Sequence, residues 1–281
     1  MGKMFKFTEK FRGGSSSFDV DKVLYNQKSR FQNIFIGHSP SIGHFLALDN
    51  KINSSEVDYF IYHEAIVHPC MVSLQEPKRV LIIGGGEGVQ VKEILKYGNI
   101  IIDWVDIDET VVKKCREFLP YALKKDLKNV NLYIQDGMKF VSETKKKYDF
   151  IMADLTEPSG KDGISNKLYS EDFAKKIKDR LTDQGMYITL CWEMENGRWR
   201  YKLRPEYLVK TFKYVRPMHF FMPSFGSDFS LVIASKKYDP AKISKKQIRE
   251  KLKRIRGSLF FYDEDTHKAI FSFTKFQKNF F

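Results

Sequence analysis

The sequence predicts an α/β protein: a doubly wound sheet covered by helices on both faces, preceded by a small antiparallel β-sheet. Three observations carry this reading. From Arg79 onward, short apolar runs alternate with helical stretches. Before that point, several segments alternate apolar and polar residues, as half-buried strands do. Between the two, a glycine-rich turn follows the first long apolar run, at the kind of strand end where open α/β sheets bind ligands.

The elements follow in chain order. SFDVDKVLY and FQNIFIGHS alternate, and HFLALDNKI carries an Asp-Asn turn after an apolar run. Gly13 to Ser17 reads as a flexible turn between two early strands. Val57 to Val67 reads as a helix. The later apolar runs are VLIIG, IIIDWVDID, VNLYIQD, FIMADL, MYITLCW and LVIASK. The helical stretches between them include VQVKEILKY, ETVVKKCREFL, FAKKIKDRL and PEYLVKTFKYV. This alternation predicts a parallel, Rossmann-like sheet. Residues 1–68 are expected to form the N-terminal β-sheet domain, and residues 69–281 the catalytic domain.

A chain of 281 residues with 42% hydrophobic residues can bury a sizeable core. No apolar run is long enough to span a bilayer. The opening MGKMFKFTEKF has no apolar signal-peptide core, and Lys6 stands where a myristoylation signal wants Ser or Thr. The expectation is a cytoplasmic protein. Cys70, Cys115 and Cys191 are widely spaced and form no C-x-x-C pair, so no metal site is expected.

The net charge is +13, and Lys236 to Arg256 alone carries +8. That segment has helical apolar spacing at Ile243, Ile248, Leu252 and Ile255. It reads as a solvated amphipathic helix packed by one face. Contact with a polyanion such as RNA is the competing reading, and nucleic acid is not the expected partner.

Four strand ends carry the chemistry. The first is Gly84-Gly85-Gly86-Glu87-Gly88, where glycines permit a tight turn and close approach of a ligand. The second is Asp106-Ile107-Asp108; Asp106 stands 20 residues past Gly86, the spacing of a ribose-binding acid in a nucleotide-binding βαβ unit. The third is Asp136-Gly137, and the fourth is Asp154-Leu155-Thr156-Glu157-Pro158. The turn lacks a third glycine in register, and Glu87 places a negative charge where a phosphate would sit. An adenosine bearing a cationic substituent, as in a sulfonium nucleoside, fits better. Helix capping accounts for one or two of these acids. Glu87, Asp106, Asp136, Asp154 and Glu157 gathered at one edge of a basic protein point to a cation. Paired carboxylates can grip one ammonium while taking a proton from another.

From about Val20 to Phe271 the chain resembles the polyamine aminopropyltransferases, the spermidine synthase family. The resemblance rests on KSRFQNIFI, LALDNKINSSEVDYFIYHEAIVHP, RVLIIGGGEGVQVKEIL, VDID, QDGMKF, YDFIMADLTEP, MPSFGSDFSLVIAS and LFFYDEDTHKAIF. The Tyr62-His63-Glu64 run, His68-Pro69 and GGGEG together separate it from general methyltransferases, which share the same methyltransferase-type Rossmann-like fold.

The resemblance implies transfer of an aminopropyl group from decarboxylated S-adenosylmethionine to an amine, with release of 5′-methylthioadenosine and no prosthetic group. It implies Asp154 as general base, with Tyr62, also counted as catalytic, and His63 lining the junction of the two substrates. Glu87 would bind the amino end of the donor arm and repel the carboxylate of ordinary S-adenosylmethionine. Asp106 would hold the ribose. Asp136 and Gly137 would lie on the adenine side, Gly84 and Gly86 would form the turn, and Gln32 would touch the nucleoside. Glu157 would hold the acceptor amine, with Asp58 and Phe225 on the acceptor side. A homodimer or homotetramer built through the N-terminal sheets is also implied.

The sequence departs from the family pattern at Glu157, Asn53, Tyr59, Lys161, Phe225 and Leu190-Cys191-Trp192, mostly on the acceptor side. Putrescine is the default acceptor; agmatine, cadaverine or a longer polyamine remains open. Another S-adenosylmethionine-dependent transferase is the alternative enzyme, and a basic nucleic-acid-binding scaffold the non-enzyme alternative. The polar segment Thr156 to Asn166 is expected to act as a lid.

Overall fold

The computed structural model describes residues 5–11, 14–156, 166–191, 194–195, 198–199 and 205–280. The N-terminal part is antiparallel. β1 (Phe5–Phe11) and β2 (Gly14–Val20) form a ribbon, and β3 (Lys22–Lys28), β4 (Asn33–Ser39), β5 (Gly43–Leu48) and β6 (Lys51–Ser55) form a four-stranded meander. Asp49 and Asn50 take left-handed φ values of 49° and 62°, which closes the β5–β6 hairpin. Ser15 to Ser17, expected within a turn, instead belong to β2. They pair along β1, and Ser17 Oγ lies 2.9 Å from Thr8 Oγ1. Such cross-strand hydroxyl pairs outweigh the loop-like composition of this stretch. Phe7 binds the ribbon to the meander, with its ring 5.1 Å from Phe35 and 5.4 Å from Phe45.

α1 (Tyr59–Ser73) starts two residues later than expected and continues past Val67 through Pro69. The helix is buried from His63 to Val72. A proline there removes one helical N–H, and Ser73 Oγ donates to Pro69 O at 2.7 Å. Residue 68, where the sequence reading divides the chain, lies within this helix.

The second part alternates as expected. The elements are β7 (Arg79–Gly84), α2 (Val89–Leu95), β8 (Ile101–Asp106), α3 (Glu109–Phe118), β9 (Val130–Ile134), α4 (Gly137–Glu143), β10 (Tyr148–Asp154), α5 (Glu171–Arg180) and β11 (Leu181–Leu190). A short pair, β12 (Met194–Glu195) and β13 (Arg198–Trp199), follows. Then come α6 (Glu206–Thr211), β14 (Tyr214–Met222), β15 (Ser227–Ser235), α7 (Lys245–Leu252) and α8 (Glu264–Ile270).

Seven of these strands form one sheet in the order β14-β15-β11-β10-β7-β8-β9. β7 to β11 are mutually parallel, whereas β15 runs antiparallel to both its neighbours. The sheet is therefore mixed, not wholly parallel. PEYLVKTFKYV also departs from expectation: its helix stops at Thr211, and Tyr214 already begins β14. Pro217 sits within β14 without harm because β14 is an edge strand, paired only with β15.

Both faces of the sheet are buried. Ile82, Met152 and Ile188 pack under α1, α2 and α7, while Leu81, Ile83 and Ile151 pack under α4, α5 and α6. The N-terminal meander lays Ile34, Ile36 and Leu46 against Val89, Val111 and Cys115, beside the start of α2 and on α3. The chain winds outward from β7 to β8 and β9, then returns to the other side of β7 with β10. This reversal opens a crevice at the carboxyl ends of β7 and β10.

In the basic segment, α7 buries Ile248 and turns its charges outward. Arg249 pairs with Glu264 at 2.7 Å, Lys245 pairs with Asp265, and Lys251 Nζ donates to the Gln75 carbonyl at 2.9 Å. Among the described residues, no helix is long and apolar enough to cross a membrane.

Candidate active site

The glycine turn occupies the crevice. Gly84 has φ +85°, and a Cβ there would lie 2.0 Å from the Asp154 carbonyl oxygen. A Cβ on Gly86 would lie 2.6 Å from Val111 Cγ1 and 3.3 Å from Asp106 Oδ2. Side chains at these two positions would drive the three strand ends apart. Their absence lets Gly85 N donate to Asp154 O at 3.1 Å and packs Glu87 into the interior, 7% exposed.

Asp154 ends β10 beside this turn, in register with Gly84. Tyr62 Oη, from α1, donates to Asp154 Oδ1 at 2.5 Å, and Gln90 Nε2, from α2, donates to Asp154 Oδ2. Both carboxylate oxygens are therefore held. Burial pushes the Asp154 carboxyl up to about 6, against the opposing pull of the two hydrogen bonds. Burial also pushes Glu87 up to about 8, with the Asp154 charge adding to it. Tyr62 is driven well above its ordinary value, first by burial and then by the Asp154 charge.

His63 follows Tyr62 on α1 and faces Glu87, with Nε2 3.9 Å from Glu87 Oε2. Its Nδ1 donates to the Tyr59 carbonyl at 2.6 Å, which leaves the lone pair on Nε2. Burial lowers the imidazole to about 4, so it is neutral at physiological pH. Three buried acceptor atoms here have no hydrogen-bond partner among the described residues: His63 Nε2, Glu87 Oε1 and Gln90 Oε1. Buried polar atoms are rarely left in this state. Together they ask for a donor-rich ligand.

The other predicted residues sort by place. Asp106 is 8% exposed at the end of β8, and burial pushes it up to about 7. Its Oδ1 accepts from Asp108 N at 2.8 Å. Asp108 caps α3 and accepts at Oδ2 from Ser29 Oγ at 2.5 Å and from Gln32 Nε2 at 3.2 Å. Gln32 thus reaches the rim through Asp108. Asp136 caps α4 by accepting from Lys139 N at 2.9 Å, and Gly137 begins that helix against Ile83. Asp58 is fully buried and accepts from Ser55 Oγ at 2.7 Å and from Ser224 N at 2.7 Å. Phe225 packs on Phe229 at 5.7 Å, and Phe229 packs on Tyr62 at 5.6 Å. Glu157, Lys161 and almost all of the expected lid lie outside the described residues.

Sequence reasoning missed Gln90, whose only signal is its place two residues past Gly88. It also missed Tyr121, whose ring stacks on Tyr59 at 4.5 Å and whose hydroxyl meets Ser54 Oγ at 2.8 Å. Among the described residues, no group of acids, histidines or cysteines is placed to hold a metal ion.

Comparison with known proteins agrees with this architecture. The family described as "Spermine/spermidine synthase domain" matches residues 59–246, and "Spermidine synthase tetramerisation domain" matches residues 6–56. A polyamine aminopropyltransferase of Methanocaldococcus jannaschii is 37% identical over 262 residues, covering 91% of this chain and 87% of the relative. One from Sulfolobus acidocaldarius is 35% identical over 261 residues, covering 92% and 86%. A spermidine synthase solved with the transition state analogue AdoDATO superposes with a TM-score of 0.88 at 28% identity, covering 98% of this chain and 94% of that one. Spermidine synthase from Thermotoga maritima gives 0.84 at 28% identity, covering 98% and 93%. The chain belongs to the spermine/spermidine synthase family of aminopropyltransferase enzymes.

Proposed function

We propose that this protein transfers the aminopropyl group of decarboxylated S-adenosylmethionine to a diamine, with putrescine as the leading acceptor. The observation that carries the proposal is the cluster of unpartnered buried acceptors, His63 Nε2, Glu87 Oε1 and Gln90 Oε1, around Asp154. An ammonium offers three donors and no acceptor. It would give these atoms their missing donors and neutralise carboxylates that burial has made costly.

The chemistry follows from charge. A primary amine in water is protonated, with a pKa near about 10, and cannot attack until it loses a proton. Asp154 is suited to take that proton, because Tyr62 fixes its orientation and its raised pKa keeps it basic at neutral pH. The amine nitrogen then bonds to the carbon beside sulfur. The carbon–sulfur bond breaks, its electron pair goes to sulfur, and neutral 5′-methylthioadenosine leaves. The sulfonium is already a good leaving group, so positioning and the base are what the protein must supply.

In this reading Glu87 holds the ammonium of the donor arm, with His63 at the substrate junction. Asp106 receives the ribose hydroxyls, and the Asp136-Gly137 start of α4 lies on the adenine side. The turn of Gly84 and Gly86 brings the backbone close to the nucleoside, and Gln32 acts through Asp108. Glu157 is assigned to the acceptor amine, and Asp58 and Phe225 to the acceptor side. Thr156 to Asn166 keeps the role of lid in this reading, although residues 157–165 lie outside the described residues. The N-terminal sheets, where Phe5 and Val23 are half-exposed, build a homodimer or homotetramer. Cys70 and Cys115 are buried free thiols, in keeping with a reducing cytoplasm. The reading keeps residues 1–68 and 69–281 as the two functional parts.

Incubation of the decarboxylated donor with putrescine, agmatine, cadaverine and spermidine, with products identified by mass, tests the proposal. One amine heavier by an aminopropyl group is expected, together with methylthioadenosine. Methyl transfer from ordinary S-adenosylmethionine instead would overturn it.

A further inference from the structure

Gln90 is a buried amide of α2 in contact with Asp154. It sits in the first turn of α2 and is 0% exposed. A buried glutamine between two valines would ordinarily be a poor choice for a core-facing helix. Here its Nε2 donates to Asp154 Oδ2, on the side opposite Tyr62. The contact depends on Gly85: a Cβ there would lie 2.6 Å from Gln90 Nε2 and 3.0 Å from Asp154 Oδ2. Its Oε1 is buried and has no partner among the described residues. One amide therefore holds the Asp154 carboxylate with its donor and keeps its acceptor in reserve.

We propose that Gln90 is a positioning residue that orients Asp154 through Nε2 and gives its free Oε1 to an ammonium N–H of the substrates. This rests on the aminopropyl-transfer reading for the identity of the ligand, though not for the Asp154 contact. The amide matches both needs. Nε2–H stabilises the ionised carboxylate, and Oε1 accepts from a cation without adding a further charge to a rim already crowded with carboxyls. Among the described residues, the titratable groups that interact with Asp154 are Tyr62 from α1, Glu87 from the glycine turn and Asp106 from β8. None is a cation. Gln90 and Tyr62 are thus the donors that favour the ionised form of Asp154.

Two readouts separate positioning from mere packing. In Gln90→Met, of similar volume, the Asp154 carboxyl followed by carbon-13 NMR of labelled aspartate should titrate roughly one pH unit or more higher than in the parent, because a hydrogen bond to its charged form is gone. The KM for the amine or the donor should rise roughly tenfold, with the melting temperature and methylthioadenosine binding retained. If Gln90→Met does not fold, Gln90→Thr removes the reach of the side chain with less apolar strain and carries the same expectations. An unchanged Asp154 titration together with an unchanged KM in a folded variant overturns the proposal. The NMR titration is independent of turnover. If Asp154→Asn proves active, the catalytic reading fails while the Gln90–Asp154 contact still stands or falls on the titration.

Discussion

Tyr62 Oη and Asp154 Oδ1 meet at 2.5 Å although 92 residues separate them along the chain. One comes from α1, which follows the N-terminal sheet, and the other from the end of β10. Removing this bond with Tyr62→Phe leaves the ring packed edge-on against Phe229 and deletes only the donor. Losing a hydrogen bond to a charged group costs about 1.5–3 kcal/mol, so kcat should fall roughly 10- to 100-fold. The acid limb of the pH–rate profile should move upward, because Tyr62 no longer favours the ionised Asp154. Steady-state rates across pH check both; an unmoved acid limb at normal kcat contradicts the assignment.

Glu87 should govern the choice of donor. It is buried, and an ammonium beside it would bring its pKa down from about 8, so donor binding should release protons near neutral pH. Glu87→Gln should weaken binding of the decarboxylated donor roughly tenfold or more, and should narrow its advantage over ordinary S-adenosylmethionine. Calorimetric titration of both donors in buffers of different ionisation enthalpy reads both effects. Equal loss for the two donors would count against a role in discrimination.

The buried carboxyls of the site should make stability depend on pH. Glu87, Asp106 and Asp154 are raised to about 8, about 7 and about 6. Their unfolded values lie near about 4. Each therefore binds its proton more tightly when folded, and this contribution is complete below about pH 4 and lost as pH climbs through about 6 to 8. The decarboxylated donor, a cation, should raise the melting temperature more at pH 8 than at pH 5. A thermal-shift series with and without donor measures this, and a larger donor effect at low pH would be the opposite sign.

Glu64 offers a contrast, since it lies one residue past His63 and yet serves the fold. Its Oε1 accepts from Phe260 N at 2.9 Å, and its Oε2 accepts from Phe261 N and Tyr262 N at 2.9 and 2.8 Å. Glu64→Gln replaces one acceptor oxygen with an amide donor facing those N–H groups. It should cost about 2 kcal/mol of stability. Chemical denaturation reads that loss, and the acid limb of the rate profile should stay where it is.

The legible part of this molecule is the part written in local pattern. β7, β8 and β10 are short apolar runs ending in glycine or acid, and the sequence places Gly84, Asp106 and Asp154 at their ends, where they are found. The 20-residue spacing from Gly86 to Asp106 reflects one helix and one strand, which is a local fact. What pattern could not supply is set by long-range pairing. The direction of β15 depends on β14, which enters directly after α6 and contains Pro217; its first residues, Tyr214 and Val215, read as the end of the preceding helix. Ser15 to Ser17 look like linker until Thr8 and its neighbours pair with them. Gln90 looks like a surface residue on a short helix until Gly85 lets it reach Asp154. Asp136 and Asp108 fit the helix-capping reading of strand-end acids, whereas Glu87 and Asp106 do not cap the helices that follow them.

The central claim is that Asp154 accepts the proton that frees the amine. Asp154→Asn keeps the shape of the side chain and can still meet Tyr62, so substrates should still bind. Methylthioadenosine release from saturating decarboxylated donor and putrescine is the most direct measurement. The account predicts a fall of roughly 100-fold or more, with donor affinity changed far less. Turnover near that of the parent enzyme would contradict it.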